Sequence, residues 1–143
     1  MAAPAAANIH ATAVALDAGR GVLILGPSGA GKSALALRLM ALGARLVADD
    51  RVDLRHEAGA LLAAAPAALF GLIEARGAGI LRATALASAR IALVVDLSES
   101  ETERLPPMRH SEILGVSLPL VLRLQDGHLE AAILQWLKGG RQA

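Results

Sequence analysis

Eight consecutive residues, Gly26-Pro-Ser-Gly-Ala-Gly-Lys-Ser33, limit what this chain can become more than any other feature of it. They fit the pattern G-x-x-x-x-G-K-S/T with no mismatch. The run before them, Gly21-Val-Leu-Ile-Leu25, is short and apolar, as for a strand buried on both faces of a parallel sheet. After them Leu35, Leu39 and Leu42 share one helical face, and Gly43 stands where helices commonly end. Arg45-Leu-Val-Ala48 then reads as a second strand, closed by Asp49-Asp50. Strand, turn, helix and strand within about thirty residues predict a βαβ unit with a right-handed crossover.

Each part of the octet has a chemical reason. Gly26, Gly29 and Gly31 allow backbone conformations that turn successive N–H groups into one concavity, where they chelate phosphate oxygens. Pro27, Ser28 and Ala30 complete the loop. The following helix directs its positive end at the same place, adding roughly half a unit charge. Lys32 is placed to reach the β- and γ-phosphates, and the Ser33 hydroxyl to take a coordination position on Mg2+. Such a turn marks a nucleoside triphosphate site and leaves the fate of the γ-phosphate open. Asp49 and Asp50 stand at the carboxyl end of a strand, where ligands of open α/β sheets lie. Strand alternation sends the two carboxylates in different directions, one toward a metal and the other toward an incoming hydroxyl.

Composition excludes several other classes. The 143 residues are one domain's worth, read as a single domain over 1–143. A formal charge of +1 and a single Trp and Phe, with no Tyr, argue against nucleic acid, which calls for a basic surface and stacking platforms. The absence of cysteine removes disulfides, zinc ribbons and thiol nucleophiles, and fits a cytoplasmic protein. The longest internal uncharged stretch, Ala58 to Ile73, is broken by Gly59, Pro66 and Gly71 and falls short of the ~20 apolar residues of a span. The N-terminus carries Pro4, Asn8 and His10 and no Lys or Arg ahead of its apolar part, unlike a secretory signal. No membrane association is expected.

The remaining pattern is coarser, because alanine blurs strand and helix periodicity over the first ninety or so residues. Arg51–Arg55 reads as an edge or hairpin strand, Pro66–Leu72 as a short helix, and Ile80–Arg82 and Ile91–Val95 as strands. Ser98–Met108 reads as a surface loop or short turn of helix, and Val116–Leu124 as a strand with Pro119 at an edge or bulge. Leu129, Ile133 and Leu137 form one face of a C-terminal helix that stops at Gly139-Gly140. The fold class is α/β, a mixed central sheet flanked by helices.

His10, the octet, Leu46-Val-Ala-Asp-Asp50 and Leu72-Ile-Glu-Ala-Arg-Gly-Ala-Gly-Ile80 together resemble the catalytic domain of the HPr kinase/phosphorylase family, over about His10 to Leu137. The last segment is the more diagnostic, since the phosphate loop is shared by many unrelated enzymes. The resemblance implies a P-loop fold of the HPr kinase/PEP carboxykinase type. It also implies an enzyme of the bacterial phosphotransferase system that phosphorylates a serine of the carrier protein HPr from ATP or pyrophosphate. The reverse reaction consumes phosphate and releases pyrophosphate. By the same resemblance His10 supports the catalytic carboxylate, Lys32 binds phosphate, and Ser33 with Glu74 holds Mg2+. Asp50, beside Asp49, exchanges the proton of the target serine. Arg76 lies in the signature segment, and Arg104 resembles an arginine used near the transferred phosphate.

The departures from the family pattern are specific. Nine residues precede His10, where usual members carry a further domain, and the chain ends soon after Trp136, which shortens helices that reach a neighbouring subunit. The segment after the signature is reduced to Ala83–Arg90. A dephosphorylation motif, roughly P-x-K-x-G-R, falls on Pro119-Leu-Val-Leu-Arg-Leu124, with an aliphatic residue for the lysine and Arg123-Leu124 for Gly-Arg. The expectation is therefore an ATP- and Mg2+-dependent HPr serine kinase with weak or absent phosphorylase activity, and a homo-oligomer, a hexamer by resemblance. Two rivals are a P-loop kinase of a small metabolite and a non-catalytic ATP-sensing module. Asp49, Asp50 and Glu74 beside the loop favour an enzyme over a sensor, since binding alone needs fewer carboxylates.

Overall fold

The computed structural model describes residues 5–143; Met1 to Pro4 of the N-terminal reading lie outside the described residues. The strands are β1 (Ala6–Ile9), β2 (Thr12–Ala15), β3 (Gly21–Leu25), β4 (Arg45–Ala48), β5 (Val52–Glu57), β6 (Ala60–Ala64), β7 (Leu72–Ala75), β8 (Gly79–Arg82), β9 (Ala89–Ser100), β10 (Arg109–Ile113) and β11 (Val116–Arg123). Helix α1 covers Lys32–Ala41 and α2 covers Leu129–Gly139, with one 3-10 turn at Ala67–Leu69. Among the described residues no helix is long and apolar enough to cross a membrane.

The sheet is mixed, as expected, but its order departs from a simple βαβ unit. The path runs β1-β5-β6-β9-β3-β2-β4, with β11 joining β9 and β10 joining β11, while β7 and β8 form a separate hairpin. Among the described strands, only β3 with β9 and β9 with β11 pair in parallel. The two strands linked by α1 are thus not neighbours: β2 lies between β3 and β4, antiparallel to both. Its four residues are all buried, as for a strand in the middle of a sheet covered on both faces. Close approach is needed nearby, since a Cβ at Gly21 would stand 2.9 Å from the Arg90 carbonyl oxygen.

Helix α1 ends as its sequence predicts. Gly43 takes φ +113°, its N–H donates to Met40 O at 3.1 Å, and Ala44 N–H donates to Leu39 O at 3.0 Å, the two bonds of a Schellman closure. Leu35 and Leu39 are fully buried, but Leu42 falls on the closing turn and is 57% exposed, so the predicted apolar face is one residue shorter. Helix α2 buries Leu129, Ile133 and Leu137, with Leu134 added, and is capped at Gly140.

Both helices cover one face of the sheet, packing with Val14, Val22, Ile24, Leu46, Leu93 and Val95. On the other face Ala13, Leu23, Val47 and Val94 meet Val52, Leu54, Leu61 and Ala63, so strands rather than helices cover it. Truncating a fully buried leucine such as Leu35 or Leu93 to alanine in such a core costs about 2–5 kcal/mol.

Several elements differ from the sequence reading. Strands β1, β2 and β6 arise in alanine-rich segments whose periodicity carried no signal. Of the two readings of Arg51–Arg55, the hairpin holds and the edge does not: the two-residue turn Ala58-Gly59 (φ 51° and 79°) closes the β5–β6 hairpin, and β1 flanks β5 on its other side. The helix expected over Pro66–Leu72 is only the 3-10 turn, followed by β7. The loop expected from Ser98 begins after Ser100, because β9 runs on to pair with β11. Pro119 stands opposite His110, just before the β9 register begins at Leu120, and the irregularity comes later, between Leu122 and Arg123.

Candidate active site

Strand β3 delivers the chain to the glycine loop and α1 carries it away. Gly29 and Gly31 take φ +86° and +98°, with open space where a Cβ would stand, so the backbone conformation alone requires glycine there. Ala30 N–H donates to Pro27 O at 3.0 Å, and Leu35 N–H to Gly31 O at 2.9 Å starts α1. The positive end of that helix therefore faces the loop.

Lys32 lies on the floor of the loop, 7% exposed, with Nζ donating to Gly26 O at 2.8 Å and Pro27 O at 3.1 Å. Burial pushes the ammonium below the usual lysine range, and the nearby Asp49 and Asp50 carboxylates pull it partly back.

Asp49 joins three elements. Its Oδ1 accepts from Ser33 Oγ at 2.7 Å and from Thr12 Oγ1 at 2.9 Å, and its Oδ2 accepts from the Glu74 N–H at 2.9 Å. The carboxylate is buried and satisfied by donors from α1, β2 and β7, which fixes its orientation and brings the β7–β8 hairpin over the loop. Thr12 was not foreseen; the only signal was a polar residue in an apolar run, two positions after His10.

Asp50 behaves differently, and for a reason other than strand alternation. Strand β4 stops at Ala48, and Arg51 N–H donates to Asp49 O at 2.8 Å across an Asp50 held at φ 71°. This is a γ-turn in its strained, positive-φ form. It projects the carboxylate outward, 67% exposed, with Oδ1 3.3 Å from His10 Nε2.

His10, Lys32, Ser33, Asp49, Asp50 and Glu74 line one cleft of about 360 Å³, which Ser28, Gly29, Gly31 and Arg76 complete. Gly26, Pro27 and Ala30 lie behind its lining, where their carbonyls accept from Lys32 and, for Ala30, from Arg123. Arg104 is not brought to this cleft. It lines a separate hollow of about 240 Å³ with Leu105, Leu122 and Trp136, because the segment after β9 packs toward α2. The oxygens of Ser33 and Glu74 suit a hard cation such as Mg2+. Among the described residues no three His, Cys, Asp or Glu side chains converge to hold an ion unaided, so phosphate oxygens and water would have to complete its shell.

A glycine loop between strand and helix in a mixed sheet, faced by carboxylates from two other parts of the chain, defines a P-loop domain of the kinase type. The chain belongs to the family described as the HPr Serine kinase C-terminal domain, whose model matches residues 3–136. It is 40% identical over 131 residues to the HPr kinase/phosphorylase of Geobacillus thermodenitrificans, covering 82% of this chain and 42% of that protein. The HPr kinase/phosphorylase of Geobacillus sp. strain WCH70 is 48% identical over 87 residues, 55% of this chain and 28% of that one. The chain thus spans less than half the length of these relatives. The solved HPr(Ser) kinase/phosphatase from Coxiella burnetii superposes with a TM-score of 0.75 at 27% identity, covering 92% of this chain and 88% of the other.

Proposed function

We propose that this domain transfers the γ-phosphoryl group of ATP to a serine hydroxyl of an HPr-type phosphocarrier protein in the cytoplasm. The observation that carries the reading is Asp50, held outward by a strained turn beside His10 in the cleft that also contains Lys32. A carboxylate meant only to satisfy a turn has no need of a histidine partner or of a place opposite a phosphate loop.

In this reading the amides of the loop and the α1 terminus hold the triphosphate, and Lys32 offsets charge on the β- and γ-phosphoryl oxygens. Ser33 and Glu74 would hold Mg2+, which when bound neutralises phosphate charge. Asp49 keeps the Ser33 hydroxyl and the Glu74 backbone in place. Asp50 orients the serine hydroxyl and takes its proton as the Oγ–P bond forms and the bond to the β,γ-bridging oxygen breaks, while His10 steadies the carboxylate. Arg76 is available to the transferred group. Arg104, lying in another hollow, takes no part within a single chain. Self-association belongs to the reading by family resemblance.

The reverse reaction is weak in this reading, supported by the state of Arg123. Its guanidinium is engaged by the carbonyls of Ala30 and Leu97 rather than offered to inorganic phosphate.

Purified chain, MgATP and HPr, followed by intact-mass spectrometry, test the proposal. One phosphate on a serine of HPr is the expected product, whereas ATP binding with unmodified HPr would overturn it in favour of a metabolite kinase or a sensor. Phosphoserine-HPr with excess phosphate should release little pyrophosphate, and rapid release would refute the one-directional reading.

A further inference from the structure

We propose that Arg123 is a positioning residue for the phosphate loop, setting from behind the direction of the amide that faces the cleft at Gly31. Its Nη2 donates to Ala30 O at 2.6 Å and to Leu97 O at 3.2 Å, and its Nε donates to Leu97 O at 3.4 Å. One planar guanidinium therefore ties the loop to the end of β9.

The sheet register explains why the group is there. Between β11 and β9 the pairing jumps from Leu122↔Asp96 to Arg123↔Ser100, and β3 stops pairing with β9 at Leu25↔Asp96. Leu97 is skipped on both sides, so its carbonyl needs a donor from outside the ladder. Arg123 supplies it and, with the other N–H of Nη2, reaches the loop. Leu97 is in turn packed against the start of the loop, since a Cβ at Gly26 would stand 3.3 Å from the Leu97 Cβ.

The consequence for the site follows from peptide planarity. In a trans peptide the carbonyl of residue 30 and the N–H of residue 31 point in opposite directions. Holding Ala30 O toward β9 and β11 turns the Gly31 N–H away from them, and Gly31 lines the cleft. Gly31 sits at φ +98°, in a region where glycine alone offers little resistance to a peptide flip. A charged, forked donor supplies that resistance where the loop's own sequence cannot.

This role rests on the nucleotide-binding reading above, and the test separates the two. MgATP affinity is measured by calorimetry for the wild-type chain, Arg123→Lys and Arg123→Gln, with steady-state KM for ATP and for HPr alongside. Arg123→Gln is expected to weaken MgATP about tenfold and raise the KM for ATP in step, leaving the KM for HPr unchanged. Arg123→Lys, which keeps the charge without the fork, is expected to lose about threefold. With MgATP bound, faster hydrogen exchange at the Gly31 amide should accompany both losses. Either variant folded and binding MgATP as tightly as wild type would overturn the role, and Arg123→Lys decides the matter if Arg123→Gln does not fold. A wild-type chain that binds no MgATP would instead overturn the functional reading on which the role depends.

Discussion

The Ser33 hydroxyl donates to Asp49 Oδ1 at 2.7 Å, so the last residue of the phosphate loop is tied to the end of a strand sixteen positions further on. The same oxygen receives the buried Thr12 hydroxyl, and the other oxygen receives the Glu74 N–H. A carboxylate is the only side chain of its size that accepts on both ends at once. Asp49→Asn turns one of those ends into a donor facing donors. It should cost about 1–3 kcal/mol of stability and lower phosphoryl transfer at least about a hundredfold. Urea unfolding and transfer rates measure the two effects. Thr12→Val should cost only about 1 kcal/mol and spare most of the rate.

Asp50 separates chemistry from folding more cleanly. Asparagine tolerates positive φ, so Asp50→Asn keeps the turn at φ 71° and should leave the melting temperature near that of the native chain. On the role proposed for it, losing the Asp50 carboxylate should lower kcat by about 10²–10⁴. His10→Gln should give a smaller loss, since it removes a support rather than the acceptor. Near-native kcat in Asp50→Asn would remove the proton-transfer role.

Lys32→Ala removes an ammonium that the resting loop holds on its own carbonyls. Those carbonyls lie just behind the lining of an open cleft, and water entering the space left by the side chain can reach them, so stability should change by no more than about 1 kcal/mol. Turnover with MgATP should fall by orders of magnitude, because the charge opposing the γ-phosphoryl is gone. Near-normal HPr phosphorylation by this variant would contradict the assignment.

Glu101 offers a pH-dependent prediction remote from the cleft. Arg109 grips its carboxylate with bonds of 2.9 and 3.0 Å and lowers its pKa from the ordinary 4.5 to about 2. The unfolded chain binds the proton more readily, so the pair stabilises the fold fully above about 4.5 and loses that contribution as pH falls through about 2. Glu101→Gln should therefore be less stable than wild type at neutral pH, with the two urea midpoints converging in acid. A gap that persists to pH 2 would show that the ion pair is not its source.

The elements legible in the sequence were those whose cause is short-ranged. The loop and α1 follow from glycine positions and a leucine phase within twenty or so residues, and Gly43 closes the helix by its own positive φ. The N-terminal strands and β6 were not legible, because alanine favours helix and has little packing volume, so runs of it carry no strand period. Placing β2 between β3 and β4 depends on its antiparallel pairing with both of them, a property of pairs of segments rather than of one.

A glycine-rich turn, its lysine and serine, and two adjacent carboxylates beyond the next strand can be read from the sequence alone, since these depend on neighbouring residues and their dihedral preferences. Packing of distant segments settles which partners meet them: Thr12 and the Glu74 amide on Asp49, His10 on Asp50, and Arg123 on an Ala30 carbonyl ninety-three positions away. It also decides that Arg104 lies elsewhere. These meetings depend on strand order and on a register jump between β9 and β11, which arise when distant segments pack together and leave no periodic trace in either one.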